Sequence, residues 1–317
     1  MKKNTLPLFT ISIVLLATLT INHPRHSFAL DLHGENGRFD VDVKLRPSIG
    51  YRQDNLNWNI AGDVNGENPN ILSELEYNDM IIHQVGLNAH IDVNRIYLRG
   101  ALYYGRIISG ECIDSDYNED NRNSMFSESK SEINDDNTFD LDLGIGYMFG
   151  FFRKRLRIIP LVGFAYHEQN LRVTNGTQTY GTADLSGLNS KYQTEWQSTW
   201  VGVDLIMDVT HTIILTLSGE YHDADYSAEA DWNLRQDFQH PVSFVHYADG
   251  EGTTLKAGLE KVLSKRWIMG LNYIKHDWST DAGTDRVFFA NGIISETRLN
   301  EVNWESEAIN LLVGYRF

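Results

Sequence analysis

Apolar and polar residues alternate along most of the chain after residue 30. In residues 39–46, Phe39, Val41 and Val43 are apolar, whereas the positions between them carry charged side chains. The same alternation recurs in residues 85–93, 139–147, 213–221, 267–273 and 311–317. Side chains of a β-strand point to opposite faces with a period of two. The pattern therefore predicts an all-β protein whose strands have one apolar face and one polar face.

The apolar faces of these strands are predicted to contact lipid. Aromatic residues lie near the strand ends, as at the interfaces of membrane barrels; they are Tyr103, Tyr104, Tyr147, Phe149, Trp267, Tyr273, Tyr315 and Phe317. No apolar run long enough for a helical span follows residue 30. An open sheet cannot cross lipid, because its edge amides would lack hydrogen-bond partners. The sequence therefore predicts a closed transmembrane β-barrel with a polar interior.

The connections between the predicted strands set their number. Short connections fall near residues 92–94, 150–154, 208–211 and 263–266, and long polar ones fall near residues 58–71, 110–138, 170–190, 227–241 and 277–300. Four short turns and five long loops join ten antiparallel strands. Since short turns of such barrels face the periplasm, we expect five long extracellular loops and both termini on the periplasmic side.

The first 29 residues are interpreted as a signal peptide. Lys2 and Lys3 form a basic start, residues 6–21 are apolar, and Ser27 and Ala29 resemble the small residues of a cleavage site. An uncleaved membrane anchor is the alternative, which is disfavoured because the run is shorter than the ~20 residues of a span. We therefore expect a barrel at residues 30–317, located in the outer membrane of a Gram-negative cell.

Composition narrows the possible functions. The chain has 27 basic and 43 acidic residues, a net charge of −16. That balance argues against nucleic-acid binding, which requires cationic side chains to neutralise phosphates. The single cysteine, Cys112, excludes a disulfide scaffold and a cysteine-based zinc site. No metal site or cofactor is predicted, and the acidic balance favours cationic partners.

Two pairs of polar residues are candidates for chemistry. Asp114 and Asp116 follow the third predicted strand, and Asp231 and Asn233 lie near the top of the seventh. Residues two apart in an extended chain share a face, and adjacent carboxylates raise each other's proton affinity, which suits general acid–base work. The same spacing is compatible with a calcium contact or a solvated acidic loop. Strict alternation places the three aspartates outside, so a β-bulge in each strand is needed to turn them inward.

Three segments resemble the omptins, a family of outer-membrane aspartyl proteases. They are residues 109–117 (SGECIDSDY), residues 221–233 and residues 72–77 (LSELEY). The resemblance implies that Asp114 and Asp116 form the family's aspartate pair and that Asp231 belongs to its His–Asp dyad. In that family a water between an aspartate and the His attacks the peptide. This sequence has Asn233 at the His position, and an amide cannot accept a proton as imidazole does, so weakened or lost catalysis is expected.

Three histidines on the flanking segments are candidate replacements for the missing one. His222 is nine residues from Asp231, roughly 30 Å in extended chain, which is too far. His240 and His246 follow on the loop and the returning strand. His246 is the candidate that the returning strand can bring closer to the site, although a rim histidine that bonds to backbone or water is the simpler interpretation.

The resemblance also bears on lipopolysaccharide, which omptins bind through a cluster on the outside of the barrel. Tyr166 and Glu168 match members of that cluster. Asn170 and Glu195 stand where the family has basic residues. Lipopolysaccharide is therefore retained as a possible partner, with Tyr166 and Glu168 as its expected contacts.

Two functions from different classes follow from these observations. The first is an omptin-like outer-membrane barrel that acts as an endopeptidase on basic peptides at the cell surface, with weakened or lost catalysis. In the latter case it binds cationic peptides or host surface proteins. The second is a non-enzymatic adhesin or porin-like barrel. A ten-stranded barrel is narrow, and its charged interior is expected to pair and block conduction, which disfavours the porin.

Overall fold

The fold is a single antiparallel sheet. We describe it from a computed structural model, which covers residues 41–134 and 136–316. Its strands are β1 (Val41–Ile60), β2 (Ser73–Val93), β3 (Ile96–Glu119), β4 (Asn123–Ile133), β5 (Asn137–Tyr147), β6 (Phe149–Phe151), β7 (Leu156–Tyr180), β8 (Asn189–Asp208), β9 (Ile213–Asp231), β10 (Phe244–Val262), β11 (Trp267–Thr280), β12 (Gly283–Phe288) and β13 (Ile294–Arg316). The expected signal peptide at residues 1–29 lies outside the described residues.

The sheet closes on itself because β1 pairs with β13 as well as with β2. The strands β4, β5 and β6 follow one another along β7, and β11 and β12 share the place between β10 and β13. Counted around the ring, the strands therefore occupy ten positions. The predicted ten-stranded antiparallel barrel is confirmed.

The strands are longer than lipid alone requires. For example, β3 has 24 residues and β7 has 25, whereas about 9–11 residues cross a bilayer. Much of the predicted loop at residues 110–138 is consequently strand, since β3 continues to Glu119 and β4 returns from Asn123. The four short connections are confirmed, and they fall at residues 94–95, 152–155, 209–212 and 263–266.

An apolar belt encircles the outside of the barrel. Large apolar side chains are exposed there, including Ile49, Val85, Ile145, Val162, Val201, Leu255 and Ile309. Exposed aromatic residues bound this belt towards the short turns at Tyr147, Phe149 and Trp267, and towards the long ends at Tyr51, Tyr104 and Tyr221. No helix of the described chain has the length and apolar character that a membrane span requires.

Ion pairs fill the lumen at the level of this belt. Arg99 contacts Asp204 at 2.7 Å and also bonds to Glu220. Lys256 joins the same layer, 2.9 Å from Asp142 and 2.8 Å from Glu220. These side chains come from five different strands, so the layer ties opposite sides of the barrel together. The expected pairing of interior charges is present.

A second charged layer lies closer to the long ends of the strands. The guanidinium of Arg52 donates to Asp54 and to Asp140, the latter at 2.7 Å. Asp140 also lies 2.8 Å from His167, and Gln169 donates to Asp54 at 2.6 Å. Each carboxylate in this layer therefore has at least two partners, which offsets the desolvation of buried charge.

Aromatic side chains close the lumen above the charged layers. Trp196, Trp278 and Trp304 pack with ring centroids 5.6–6.4 Å apart and are almost fully buried. Trp58 and Tyr192 continue this packing towards the extracellular end, 5.8 Å apart. Among the described residues, the lumen is therefore a packed core and not an open channel.

Candidate functional site

A bulge turns the aspartate pair of β3 towards the interior. Ile107 and Cys112 are both buried, although they are five residues apart and strict alternation would place them on opposite faces. The register with β2 shifts between residues 78 and 82 at the same height. Beyond the shift, Asp114 and Asp116 have the same parity as Cys112. The pair therefore points into the extracellular mouth of the barrel, as the omptin resemblance requires.

Partial burial raises the proton affinity of this pair. Desolvation, followed by the charge of Asp116, raises the pKa of Asp114 to about 8. Desolvation also raises the pKa of Asp116, against hydrogen bonds from Ser73 and Ser127 that favour its charged form. Near neutral pH the carboxyl group of Asp114 therefore keeps its proton, since two adjacent charges cannot both be accommodated at low cost.

Arg235 is the cation associated with the pair. It lies in the connection between β9 and β10, and its charge lowers the pKa of both aspartates against the effect of burial. Its guanidinium donates two hydrogen bonds to the carboxylate of Asp237, from Nε at 3.0 Å and from Nη2 at 2.9 Å. The guanidinium also stacks on the ring of Phe238, 4.1 Å from the centroid. One side of the mouth is therefore acidic, and the facing loop holds an exposed arginine.

The structure does not bring Asp231 to this pair. No register shift occurs where β9 pairs with β8 and β10. Ala230 consequently faces inward, with 1% of its surface exposed, and Asp231 faces outward opposite Lys191. Its carboxylate oxygen lies 2.7 Å from Nδ1 of His240. The bulge that would turn Asp231 inward is absent from β9, so Asp231 keeps the outward position that strict alternation gives it, and its catalytic role stays a prediction.

Asn233 is held by the neighbouring loop. Its amide oxygen accepts hydrogen bonds from the backbone of Asn189 at 2.8 Å and from the hydroxyl of Ser190 at 3.3 Å. Its amide nitrogen donates to the carbonyl of Gly187 at 2.9 Å. These three bonds fasten the β9–β10 connection to the start of β8. The side chain therefore has a structural role at this rim, and no contact joins it to Asp114 or Asp116.

The structure reveals a buried His–Asp pair that the sequence did not indicate. His246 lies 3.3 Å from Asp285 of β12, and its other ring nitrogen lies 2.9 Å from the hydroxyl of Tyr192. That hydroxyl is 2.7 Å from the hydroxyl of Tyr226. Asp285 belongs to the segment predicted as a long loop, so its pairing with β10 carried no sequence signal. His246 itself is fully buried among aromatic rings, including that of Trp58.

The outer-wall residues expected to contact lipopolysaccharide lie together. The hydroxyl of Tyr166 donates to Glu168 at 2.8 Å, and Asn170 donates to the other oxygen of Glu168 at 2.7 Å. Glu195 is the direct cross-strand neighbour of Glu168. The charges in this group are both acidic, so it offers phosphate no cation. Lipopolysaccharide contact through Tyr166 and Glu168 stays a prediction.

The described residues contain no group of three or more His, Cys, Asp or Glu side chains that could hold a metal ion. The calcium alternative for Asp114 and Asp116 would thus rest on two carboxylates alone. A protein Ca²⁺ site takes six to eight oxygen ligands. Two carboxylates supply only part of such a ligand set, and calcium binding at the pair stays a prediction.

The closed ring, the outward apolar belt and its aromatic borders define a β-barrel protein of the outer membrane. Residues 47–317 match the family described as Protochlamydia outer membrane protein, and the chain belongs to that family. A search of curated protein sequences gives no match.

Comparison with a solved structure supports the same fold. The chain is similar to the outer membrane protease OmpT from Escherichia coli, with a TM-score of 0.69 and 13% identity over 89% of this chain and 99% of that one. It is less similar to the outer membrane protein OprG from Pseudomonas aeruginosa, with a TM-score of 0.37 and 10% identity over 89% of this chain and 98% of that one. At such identities the likeness to OmpT is one of fold.

Proposed function

We propose that this outer-membrane barrel binds cationic peptide or protein segments at its extracellular mouth and does not hydrolyse them. The observation that carries the proposal is the separation of the two half-sites. Asp114 and Asp116 face inward after a bulge, whereas Asp231 faces outward and has its own partner, His240.

This separation argues against the omptin reaction. A general base must lie within hydrogen-bond reach of the water that it activates, either directly or through one further water. Asn233 cannot act as that base, and its three hydrogen bonds hold it against the β7–β8 connection. His246 is enclosed by aromatic rings and has its own acidic partner. None of these groups supports attack on a peptide held at Asp114 and Asp116.

The pair is nevertheless suited to binding. Carboxylates in a partly desolvated mouth recognise guanidinium and ammonium groups through charge-assisted hydrogen bonds. The net charge of −16 adds a long-range attraction for cationic partners. Basic peptides and basic segments of host surface proteins therefore fit the chemistry of this site.

Fluorescence anisotropy of a labelled arginine-rich peptide tests the proposal, using the refolded barrel in detergent with and without lipopolysaccharide. The Asp114→Asn/Asp116→Asn variant should lower the affinity at least tenfold. The matched control is Asp184→Asn/Asp281→Asn, which removes two exposed loop carboxylates and should change the affinity little. Equal affinities for the wild type and the Asp114/Asp116 variant would refute binding at this pair.

Endopeptidase activity is the second candidate, because one observation favours it. The pKa of Asp114, about 8, suits general acid–base work near neutral pH. A fluorogenic dibasic peptide provides the assay. We expect no cleavage by the wild type and no gain in the Asn233→His variant, since that position does not face the pair. Cleavage that disappears in Asp231→Ala would instead support the omptin mechanism.

The porin-like alternative is not favoured by the lumen. Two cavities beside the ion-paired layers have volumes of about 70 and 90 Å³. These volumes suit a few water molecules, at about 30 Å³ each in the liquid. In planar bilayers we expect no stable unit steps of conductance from the purified protein, and regular steps would restore the porin hypothesis.

A further inference from the structure

The two ends of the barrel carry opposite charges. The four short turns contain six basic residues and no acidic one: Arg95, Arg153, Lys154, Arg155, Lys265 and Arg266. The five extracellular connections between strands contain five acidic residues and two basic ones. A chain with a net charge of −16 therefore concentrates cations at its periplasmic end. We propose that this end binds the phosphate groups of anionic phospholipids in the inner leaflet, through two sites built around Arg95 and Arg266.

The first site lies where β3 begins. A terminal nitrogen of Arg95 donates to the hydroxyl of Tyr147 at 3.3 Å. Tyr147 packs edge-on against Phe149, with ring centroids 5.1 Å apart. Both aromatic side chains are exposed on the outer wall. Arg95 makes no ion pair with a carboxylate of the described residues, so most of its five N–H donors are available to a ligand.

The second site repeats this geometry at a different part of the ring. A terminal nitrogen of Arg266 donates to the hydroxyl of Tyr315 at 3.3 Å. Tyr315 packs edge-on against Trp267, again with centroids 5.1 Å apart. Arg266 also makes no ion pair with a carboxylate in the described chain. The same arrangement of arginine, tyrosine and a second aromatic ring thus occurs twice at one height of the barrel.

Each site has further cations beside it. Arg153, Lys154 and Arg155 form the turn below the first site, and all three are exposed. Lys265 precedes Arg266 in the second. Phosphate diesters are recognised by such groups through bidentate guanidinium hydrogen bonds and by the point charge of lysine. The sites are therefore complementary to lipids that carry a net negative charge.

Their position selects a membrane lipid as the source of the phosphate. The aromatic residues mark the edge of the apolar belt, where rings lie at the level of the lipid head groups. An arginine at that edge reaches the phosphate while the neighbouring rings contact the upper acyl chains. Because the short turns face the periplasm, the leaflet concerned is the inner one. A soluble phosphate would use the charge and leave the aromatic rings without a role.

Native mass spectrometry of the detergent-solubilised barrel measures this binding, with phosphatidylglycerol and phosphatidylcholine of the same acyl chains as probes. We expect the wild type to prefer phosphatidylglycerol by about tenfold or more, since each cation near an anionic lipid contributes about fivefold. The Arg95→Gln/Arg266→Gln variant should lose most of this preference. The matched control, Arg122→Gln/Arg235→Gln, removes two extracellular arginines and should keep it.

Two further measurements complete the test. The turn variant Arg153→Gln/Lys154→Gln/Arg155→Gln changes only exposed side chains, so it assays the charge even if the arginine pair affects folding, and it should also lower the preference. Inorganic phosphate should not displace the lipid. Equal affinity of the wild type for the two lipids, an undiminished preference in both variants, or displacement by inorganic phosphate would each overturn the proposal.

Discussion

The protonation of Asp114 predicts that the affinity for a cationic peptide rises with pH. Its pKa is about 8, because burial and the neighbouring Asp116 disfavour its charged form. Below that pH Asp114 is neutral, and above it the carboxylate of Asp114 adds one negative charge to the pair. The perturbation is therefore a change of pH across the pKa of Asp114, which adds one charge to the binding site without altering its shape.

The size of the effect follows from Coulomb's law. A charge about 5 Å from a guanidinium contributes roughly 0.8 kcal/mol in water and about 3 kcal/mol at an effective dielectric constant of 20. The mouth of the barrel is partly open, so the lower part of this range applies. A gain of about 1 kcal/mol corresponds to a roughly fivefold increase in affinity as the pH rises through the pKa of Asp114.

Peptide anisotropy at constant ionic strength measures this increase. The probe should carry arginine, no histidine and an acetylated N-terminus, so that its own charge stays constant across the range. The Asp114→Asn variant should bind with an affinity that does not change with pH. Asp231→Asn, which alters an outward-facing carboxylate of the same rim, should keep the wild-type pH dependence. A wild-type affinity that stays flat across the range, or an increase that persists in Asp114→Asn, would refute the reasoning.

The remaining predictions concern stability, measured by urea unfolding in lipid vesicles. Arg99→Met should destabilise the barrel by about 3–5 kcal/mol, because it leaves buried carboxylates without their main partner. Adding Glu220→Gln to this variant should recover part of the lost stability. Unchanged stability of Arg99→Met alone would contradict the stabilising role of the ion pairs around Arg99. Gly163→Ala should destabilise by about 1–3 kcal/mol, since a Cβ there would lie 2.2 Å from the ring of Trp200. Gly219→Ala is the control, as its Cβ would meet only ordinary contacts.

The raised pKa of Asp114 also determines whether the stability of the barrel rises or falls with pH. The pKa of Asp114 is raised in the folded state, so between its unfolded value near 4 and about 8 the folded protein binds more protons than the unfolded one. The stabilisation from its neutral form is complete below the unfolded pKa and is lost as the pH rises through the folded one. Asp114→Asn should therefore stabilise the barrel relative to the wild type most clearly above about pH 8.

Much of the fold could be predicted because its signals are local. The alternation in residues 85–93 places Val85 and Leu87 on the lipid face, and their side chains are 57% and 44% exposed in the structure. Such exposure is unfavourable in water and is expected in hydrocarbon. Ring closure then follows from the need to satisfy edge amides, which requires no knowledge of particular contacts.

The sequence identified candidate residues of the site but not the directions of their side chains, because those directions depend on bulges. In both β3 and β9 the aspartates fall on the outward face by strict alternation. In β3 the bulge coincides with one in β2, where Asp79 has a φ of 51° and Tyr77 and Met80 are both buried. The bulges of β2 and β3 lie side by side, so the two strands keep their pairing beyond them. This match depends on both strands together and cannot be read from either sequence segment alone. Nothing comparable occurs beside Asp231.

Two glycines show a second feature of the fold that local sequence patterns do not predict. Gly144 and Gly163 are direct neighbours on β5 and β7, and Trp200 is the next residue across, on β8. A Cβ at either glycine would lie within 2.7 Å of the Trp200 ring. The tryptophan therefore lies flat over a patch of bare backbone. In the sequence these glycines only take regular positions between outward apolar residues, and their function depends on a residue that is distant along the chain.

The closed lumen has a consequence for how the two ends of the barrel can act. Arg99 and its partners join opposite sides of the ring, and the aromatic rings around Trp278 fill the section above them. Transport between the ends would require these layers to separate, which would expose buried charges without partners. The acidic mouth around Asp114 and the basic turns around Arg95 therefore function as independent surfaces. In the two proposals, the mouth binds cationic molecules outside the cell and the turns bind anionic lipid, and the ion pairs and aromatic rings of the lumen separate the two surfaces.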